Sequence, residues 1–221
     1  MIKGVIFDMD GTMFDTEPIS AWAWKEAGKQ EGYEITDAMV RSFLGKNMTA
    51  IQEILQKEFG PEADIVAIAQ ARQAHYKAYI QKQGAPHKEG LVVLLEYLKE
   101  QKIPAAVSTS TDRETGEMVI KKAGVYEYYS AFVYGDMVER SKPAPDIFWV
   151  AERELGLAPE ECLILEDSPS GVLAGKAAGG YTIYIPDAMQ LTEKVKEGIS
   201  AEVNNLSEVI DWIKQQNKDA E

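Results

Sequence analysis

The sequence predicts an α/β protein: a doubly wound (Rossmann-like) parallel sheet with a helical cap inserted after the first strand. Short β-branched runs alternate with amphipathic segments, which is typical of parallel strands buried between helices. The stretch 19–81 interrupts this alternation, because it contains only helix-like segments. The predicted strands are 3–7, 103–108, 131–133, 162–165 and 181–185.

Helices are predicted where apolar residues are spaced three and four apart, as at Leu91, Leu94 and Leu98. Thr111 and Glu114 match a capping box, which predicts that a helix begins at Thr111. The predicted helices are 19–31, 38–43, 49–59, 63–81, 91–101, 111–124, 145–155, 170–178 and 207–216.

The helical stretch divides the chain into two expected domains. We expect residues 16–83 to form the cap domain, and residues 1–15 and 84–221 to form the α/β core. The chain passes between them twice, near 15–18 and 84–90. Two such crossings can act as a hinge pair for a lid.

Composition narrows the possible partners and compartment. The 23 basic and 36 acidic residues give a net charge of −13, which argues against nucleic acid and anionic membranes as partners. A single cysteine, Cys162, permits no intrachain disulfide and suits a reducing compartment. The sequence shows neither a signal peptide nor an apolar run of the roughly 20 residues that a membrane span needs. We therefore expect a cytoplasmic protein.

Acidic side chains follow two of the predicted strands. Asp8 and Asp10 come after the first strand, and Glu166 and Asp167 follow the fourth. The carboxyl ends of parallel strands meet at one edge of a sheet, so these four carboxylates are expected to cluster. A divalent cation would relieve their repulsion, and oxygen ligands without His or Cys favour Mg²⁺ over zinc.

Groups that can bind an anion occur at the same predicted edge. Thr109, Ser110 and Thr111 follow the second strand and could simply cap a helix, but they could also direct hydroxyl and N–H donors at a phosphate. Lys142 follows the third strand, and the prolines at 143 and 145 limit where it can point. It could supply positive charge that an acidic protein otherwise lacks.

These motifs resemble the four signature motifs of the haloacid dehalogenase superfamily, and the likeness spans essentially the whole chain. The motifs are the segment 8–12 (DMDGT), Thr109, Lys142 and the pair Glu166-Asp167. The helical insert resembles the C1-type cap of that superfamily. The longer strings 7–16, 142–148 and 165–171 are similar to the β-phosphoglucomutase-like branch.

The resemblance implies phosphoryl transfer through an aspartyl-phosphate. Asp8 would be the nucleophile, and Asp10 would protonate the leaving alcohol and then activate water. Mg²⁺ would be held by the side chains of Asp8 and Asp167 and by the backbone carbonyl of Asp10. Glu166 would orient a metal-bound water.

The same resemblance implies residues for binding the substrate. Thr109 and the backbone at Gly11 and Ser110 would hold phosphoryl oxygens, and Lys142 would neutralise their charge. From the cap, we expect Lys46, Arg72 and Glu17 to contact a small phosphorylated metabolite. We expect the protein to act as a monomer. The predicted activity is that of a phosphatase.

Two alternatives remain open. β-Phosphoglucomutase activity resembles a site with a cap arginine and an early histidine, but this chain has Met48 and Ser20 at those places. A non-catalytic receiver phosphorylated on Asp8 belongs to another class of protein. Receivers are shorter and need neither a cap nor the second carboxylate, Asp10.

Overall fold

The computed structural model describes residues 1–218, so the final three residues of the expected core domain lie outside the described part. The chain separates into two compact units. One comprises Met1–Asp15 together with Ala85–Glu221, and the other comprises Thr16–Gly84. We refer to them as the α/β unit and the helical unit.

The α/β unit is built on a parallel sheet of six strands within the described residues. The strands lie in the order β3-β2-β1-β4-β5-β6, so the chain leaves β1 first to one side and then to the other. This arrangement confirms the predicted doubly wound fold. The strands are β1 Gly4–Phe7, β2 Ala105–Ser108, β3 Ala131–Val133, β4 Cys162–Glu166, β5 Tyr181–Tyr184 and β6 Ala201–Glu202.

The five predicted strands are present, and the sheet gains a short strand at the β5 edge. β6 has two residues and pairs through Ile183↔Ala201 and Tyr184↔Glu202. Glu202 is exposed at the edge of the sheet, and the sequence around β6 contains no apolar run. Such a strand carries too little periodicity to be predicted.

Helices account for most of the remaining chain. Those of the helical unit are α1 Glu17–Gln30, α2 Asp37–Phe43, α3 Met48–Phe59 and α4 Ile65–Gln83. Those of the α/β unit are α5 Leu91–Gln101, α6 Arg113–Lys122, α7 Asp146–Leu155, α8 Pro169–Ala178, α9 Glu193–Lys196 and α10 Val209–Lys218.

The prediction that a capping box begins a helix at Thr111 is wrong. α6 begins at Arg113, and its N-cap is Asp112, whose carboxylate accepts a hydrogen bond from the Thr115 N–H. An aspartate caps a helix as well as a threonine does. This leaves the Thr111 hydroxyl available for another role, described below.

Each unit has its own hydrophobic core. In the α/β unit, Ile6 and Ile164 of the central strands pack with Phe148 of α7. In the helical unit, Leu55 and Ile68 are fully buried and belong to a separate cluster. Among residues 1–218, no helix combines the length and the apolar character needed to cross a membrane.

One buried acid in α7 gives a prediction for the pH dependence of stability. Glu152 is buried, and its Oε1 atom has no hydrogen-bond partner among the described residues. Burial, together with the nearby Glu160 carboxylate, raises the pKa of Glu152 to about 7. In the unfolded chain the pKa of a glutamate is about 4.3. Between these values the folded state keeps a proton that the unfolded state has lost, so stability falls as pH rises through this window.

We expect Glu152→Gln to remove this part of the pH dependence. The free energy of unfolding of the variant, compared with the wild type, should rise by on the order of 2 kcal/mol between pH 5 and 8. Urea unfolding at several pH values measures this difference. A difference that stays constant with pH would contradict the prediction.

Candidate active site

The candidate site lies where three neighbouring strands end. β1 lies between β2 and β4, and all three run in the same direction. Asp8 directly follows β1, Thr109 follows β2, and Glu166 is the last residue of β4. The backbone N–H groups of Asp8 and Thr109 donate to carbonyls of adjacent strands, each at 3.0 Å. The backbone hydrogen bonding of the sheet therefore extends one residue beyond β1 and β2, which fixes the positions of the Asp8 and Thr109 backbones.

Three carboxylates converge at this edge. Asp8, Glu166 and Asp167 are buried, and one oxygen from each lies within 4.8 Å of the others. Like charges at this separation repel, and burial removes the water that would screen them. The fold therefore needs positive charge at this point.

Lys142 supplies part of that charge. Its Nζ donates to Asp8 Oδ1 at 2.5 Å, to Glu166 Oε1 at 2.7 Å and to the Ser108 carbonyl at 3.2 Å. Only 6% of its side chain is exposed, and the ammonium group lies 5.0 Å from the centre of the Phe148 ring. One buried cation thus connects two of the three carboxylates.

The pKa values at this site reflect the excess of acids. Burial raises the pKa of Asp8, and the neighbouring Glu166 carboxylate adds to this, despite the opposing effect of Lys142. Burial and Glu166 also hold the pKa of Asp167 well above its ordinary value. Burial alone would lower the pKa of Lys142, but its carboxylate partners outweigh burial and raise it. The site thus retains its ammonium group and is short of positive charge.

Glu166 is held rigidly by its own loop. Its Oε2 accepts hydrogen bonds from the Asp167 N–H, the Ser168 N–H and the Ser168 hydroxyl, each at 3.0 Å. A Cβ on Gly171 would lie 1.7 Å from Glu166 Oε1, so only glycine fits at this position of α8. Asp167 is held separately, by the Thr12 hydroxyl at 3.1 Å from its Oδ1.

Asp10 has different surroundings from Asp8. It is half-buried, and its Oδ2 accepts a hydrogen bond from the Thr111 hydroxyl at 2.8 Å and a longer one from Thr109 at 3.5 Å. Thr109 Oγ1 in turn accepts from the Thr111 N–H at 3.1 Å. Asp8 therefore contacts an ammonium group, whereas Asp10 is held by hydroxyl groups.

Gly11 lets two acids pack closely against the first motif. Its φ of +88° is a left-handed conformation that favours glycine. A Cβ here would lie 2.3 Å from Asp167 Oδ2 and 3.0 Å from the Oδ2 of Asp187. Asp187 was not predicted, although it comes soon after β5, and extending the strand-end argument to that strand would have identified it.

The structure leaves the roles of four predicted substrate residues untested. Ser110 is exposed, and its carbonyl packs closely against Gly135. The other three belong to the helical unit: Lys46 is exposed between α2 and α3, Glu17 is the first residue of α1, and Arg72 lies on α4. The structure thus brings the predicted core residues together, while the roles of these four stay predictions.

The arrangement of Arg72 differs from that of a simple surface cation. Its Nη2 donates to the Ser20 hydroxyl at 2.7 Å. Its guanidinium also lies 5.0 Å from the centre of the Tyr76 ring and 5.6 Å from that of Trp24. Arg72 is therefore positioned by α1 and α4 within the helical unit.

The residues at the strand ends fit a hard divalent cation. Asp8, Asp167 and Glu166 offer only oxygen, and a further carboxylate, that of Asp187, lies near Asp167 beside Gly11. A buried oxygen of Asp187 has no hydrogen-bond partner in the described part of the chain. Excess buried acid, oxygen donors and an unsatisfied acceptor together favour a cation such as Mg²⁺ over a softer metal.

Comparison with known proteins places the chain in a family. The model of the haloacid dehalogenase-like hydrolases matches residues 5–185. Hexitol phosphatase A of Escherichia coli is 33% identical over 83% of this chain and 82% of its own length. A phosphorylated carbohydrates phosphatase of Thermotoga maritima is 29% identical over 83% of this chain and 84% of its own.

The fold agrees with this relationship. The crystal structure of β-phosphoglucomutase from Clostridium difficile superimposes with a TM-score of 0.80, at 20% identity, over 100% of this chain and 99% of the other. At that identity the likeness concerns the fold alone. The family match and the fold agree with the arrangement of Asp8, Lys142 and Glu166-Asp167 at the strand ends. The chain therefore belongs to the haloacid dehalogenase-like hydrolases and, within them, to the β-phosphoglucomutase-like branch.

Proposed function

We propose that this chain is a Mg²⁺-dependent phosphatase that hydrolyses a small phosphate monoester through a phosphorylated Asp8. The observation that carries the proposal is the contrast between two carboxylates two residues apart. Asp8 is buried against Lys142 inside an acidic cluster, whereas Asp10 is half-buried and held by threonine hydroxyls. Acyl-phosphate chemistry needs this division, because one carboxylate must attack while another moves protons.

Asp8 is the nucleophile in this scheme. Its carboxylate attacks phosphorus, the bond to the leaving oxygen breaks, and water later cleaves the acyl phosphate to restore Asp8. Lys142 contacts Asp8 directly and would lie beside the incoming phosphoryl group. The positive charge of Lys142 therefore offsets the negative charge of the phosphoryl group, which the acidic protein would otherwise repel.

Asp10 carries the proton in both steps. It donates a proton to the leaving alkoxide and then takes one from the attacking water. Thr111 and Thr109 hold its Oδ2 and so fix the direction of the other oxygen. Thr109 and the backbone at Ser110 would position phosphoryl oxygens, whereas the predicted role of the Gly11 backbone is not supported, because its N–H donates to the Phe14 carbonyl at 2.9 Å.

Mg²⁺ would be held by Asp8 and Asp167, with the Asp10 carbonyl and Glu166 assisting. When bound, it would neutralise the acidic cluster and withdraw charge from the phosphoryl group. Glu166 is suited to an orienting role because Lys142 and its own loop already occupy both of its oxygens. Asp167 is held only through Oδ1 by Thr12 among the described contacts.

We propose a sugar or polyol phosphate as the substrate. The names of two relatives support this choice of substrate: one is a hexitol phosphatase, and the other is a phosphorylated carbohydrates phosphatase. The helical unit would act as the cap, and Lys46, Arg72 and Glu17 are its candidates for contacting the sugar. The mutase alternative gains no support, since Met48 and Ser20 replace the cationic groups that holding a bisphosphate would require.

A hydrolysis assay tests the proposal. We expect the chain to cleave p-nitrophenyl phosphate with Mg²⁺, to lose activity in excess EDTA and to regain it when Mg²⁺ is restored. In a panel of sugar, polyol and nucleotide monophosphates, we expect hexose or hexitol phosphates to give the highest kcat/KM. Undiminished hydrolysis in EDTA would contradict the metal dependence. An absence of turnover between about pH 5 and 9 would favour the receiver alternative.

A further inference from the structure

We propose that Asp187, held by Lys88, positions the divalent cation by accepting a hydrogen bond from a metal-bound water. The inference rests on the proposed function, because it presupposes that Asp8 and Asp167 bind Mg²⁺. It adds two residues to that site, one following β5 and one from the segment where the chain re-enters the α/β unit. Neither residue belongs to the four motifs identified from the sequence.

Asp187 is a carboxylate with one satisfied oxygen. Its Oδ1 accepts a hydrogen bond from Lys88 Nζ at 2.6 Å, and the two side chains are 14% and 21% exposed. Its Oδ2 is buried and has no hydrogen-bond partner within residues 1–218. Leaving a buried acceptor unsatisfied costs about 1–3 kcal/mol, and more for a charged group. A donor is therefore needed at this oxygen.

The unsatisfied oxygen faces the metal-site loop. Asp187 Oδ2 and Asp167 Oδ2 lie 3.0 Å and 2.3 Å from the point that a Cβ on Gly11 would occupy. The two oxygens therefore lie no more than 5.3 Å apart beside the backbone of Gly11, where a side chain at position 11 would collide with Asp167. Asp167 in turn belongs to the acidic cluster with Asp8.

A metal-bound water is the donor that best fits this pair of oxygens. Lys88 already contacts the other oxygen of Asp187, and Lys142 is shared between Asp8 and Glu166. Mg²⁺ retains several waters when it binds proteins, and these waters donate strong hydrogen bonds. A carboxylate that accepts from such a water orients it and strengthens binding without touching the metal.

Lys88 is fixed by backbone pairing near the end of β1. Its N–H donates to the Met13 carbonyl at 2.9 Å, and the Asp15 N–H donates to the Pro86 carbonyl at the same distance. These two segments therefore hold each other in place within the α/β unit. Lys88 balances the charge of Asp187 and aims its second oxygen, which makes both of them positioning residues.

Mg²⁺ titration of the full chain by calorimetry tests the inference. We expect Asp187→Ala to raise the Kd for Mg²⁺ about ten- to a hundredfold, as loss of an outer-shell carboxylate does. We expect Asp187→Asn to raise it less. Asp211→Asn is the control, because it removes one negative charge from a side chain that is 90% exposed on α10. Its Kd should equal that of the wild type.

Lys88→Met separates positioning from simple electrostatics. Removing a positive charge near the site would by itself tighten Mg²⁺ binding, whereas loss of positioning weakens it. We expect a several-fold higher Kd. Lys3→Met is the matched control, because Lys3 also forms an ion pair, with Glu161, but precedes β1 at the opposite end of the sheet. Unchanged or tighter binding in Lys88→Met would overturn the inference.

Thermal unfolding with and without Mg²⁺ provides a second readout. A metal that binds the folded state raises the melting temperature more when it binds more tightly, so the rise should be smaller in both Asp187 variants. A variant that is destabilised equally in both conditions, with the wild-type Kd, would show a purely structural role and overturn the inference. If the wild type binds Mg²⁺ and hydrolyses phosphate esters while the Asp187 variants bind equally well, only this inference fails. If the wild type does neither, the proposed function fails as well.

Discussion

Asp8→Asn is expected to abolish phosphatase turnover and leave the fold intact. An amide cannot attack phosphorus as a carboxylate does, and Asp10, the other carboxylate that follows β1, would serve in proton transfer instead. Loss of a covalent nucleophile typically lowers kcat by about 10⁴-fold or more. Steady-state hydrolysis of p-nitrophenyl phosphate at saturating Mg²⁺ measures this loss.

The same substitution should not destabilise the metal-free protein. Burial and Glu166 raise the pKa of Asp8, which means that its ionised form is disfavoured in the fold. Asparagine has nearly the same shape and removes one of three crowded charges, while Lys142 keeps its contact with Glu166 at 2.7 Å. We expect a melting temperature equal to or above that of the wild type.

A surface aspartate provides the control for this experiment. Asp136→Asn changes the same chemical group at an exposed position and should retain full activity. If Asp8→Asn kept turnover within tenfold of the wild type while folded, Asp8 would not be the nucleophile. If it were inactive but unfolded by circular dichroism, the argument from its raised pKa would be wrong.

The strand ends could be predicted from sequence because they depend on local patterns. A buried run followed by Asp8 and Asp10 defines both a strand and its exit, and the alternation with helices predicts the parallel order. The contacts among these ends could not be predicted. That Lys142 would contact both Asp8 and Glu166 depends on how loops from three strands pack together.

Two other features show where sequence patterns fail. Thr111 matched a helix cap, yet Asp112 caps the helix and the Thr111 hydroxyl holds Asp10 instead. Both residues can cap, so only the path of the chain decides between them. Asp187 could have been identified by its place after β5, but its proximity to Gly11 and its contact with Lys88 could not, because these residues are distant in sequence.

Arg72 of the helical unit shows the same limit of prediction from sequence. Arg72 has the spacing of an ordinary exposed position on a helix, whereas the structure places its guanidinium near Trp24 and Tyr76 and bonds it to Ser20. Such contacts depend on the packing of α1 against α4. An aromatic-bordered arginine is pre-oriented, which reduces the entropy lost when it binds an anion.

Lys142→Met should cause the largest loss of stability of any single substitution at the site. The ammonium group is buried and bonded to Asp8 and Glu166, and methionine fills similar space without charge. Removing one partner of a buried ion pair costs about 3–5 kcal/mol, because the remaining charges are left uncompensated. We expect a decrease of about that size in the free energy of unfolding in urea, measured without metal at pH 8.

The dependence of this loss on pH and Mg²⁺ identifies its cause. Protonating the uncompensated carboxylates at lower pH should restore stability, and so should Mg²⁺, which neutralises the same cluster. Lys121→Met is the control, since it removes an ion pair with Glu117 and a cation–π contact with Tyr126 from an exposed side chain and should change stability by no more than about 1 kcal/mol. A Lys142→Met protein as stable as the wild type at pH 8 would show that the cluster is already neutral. A loss of stability that does not depend on pH or Mg²⁺ would instead indicate that packing against Phe148 is lost. In that case, neutralisation of Asp8 and Glu166 by Lys142 would not be what stabilises the site.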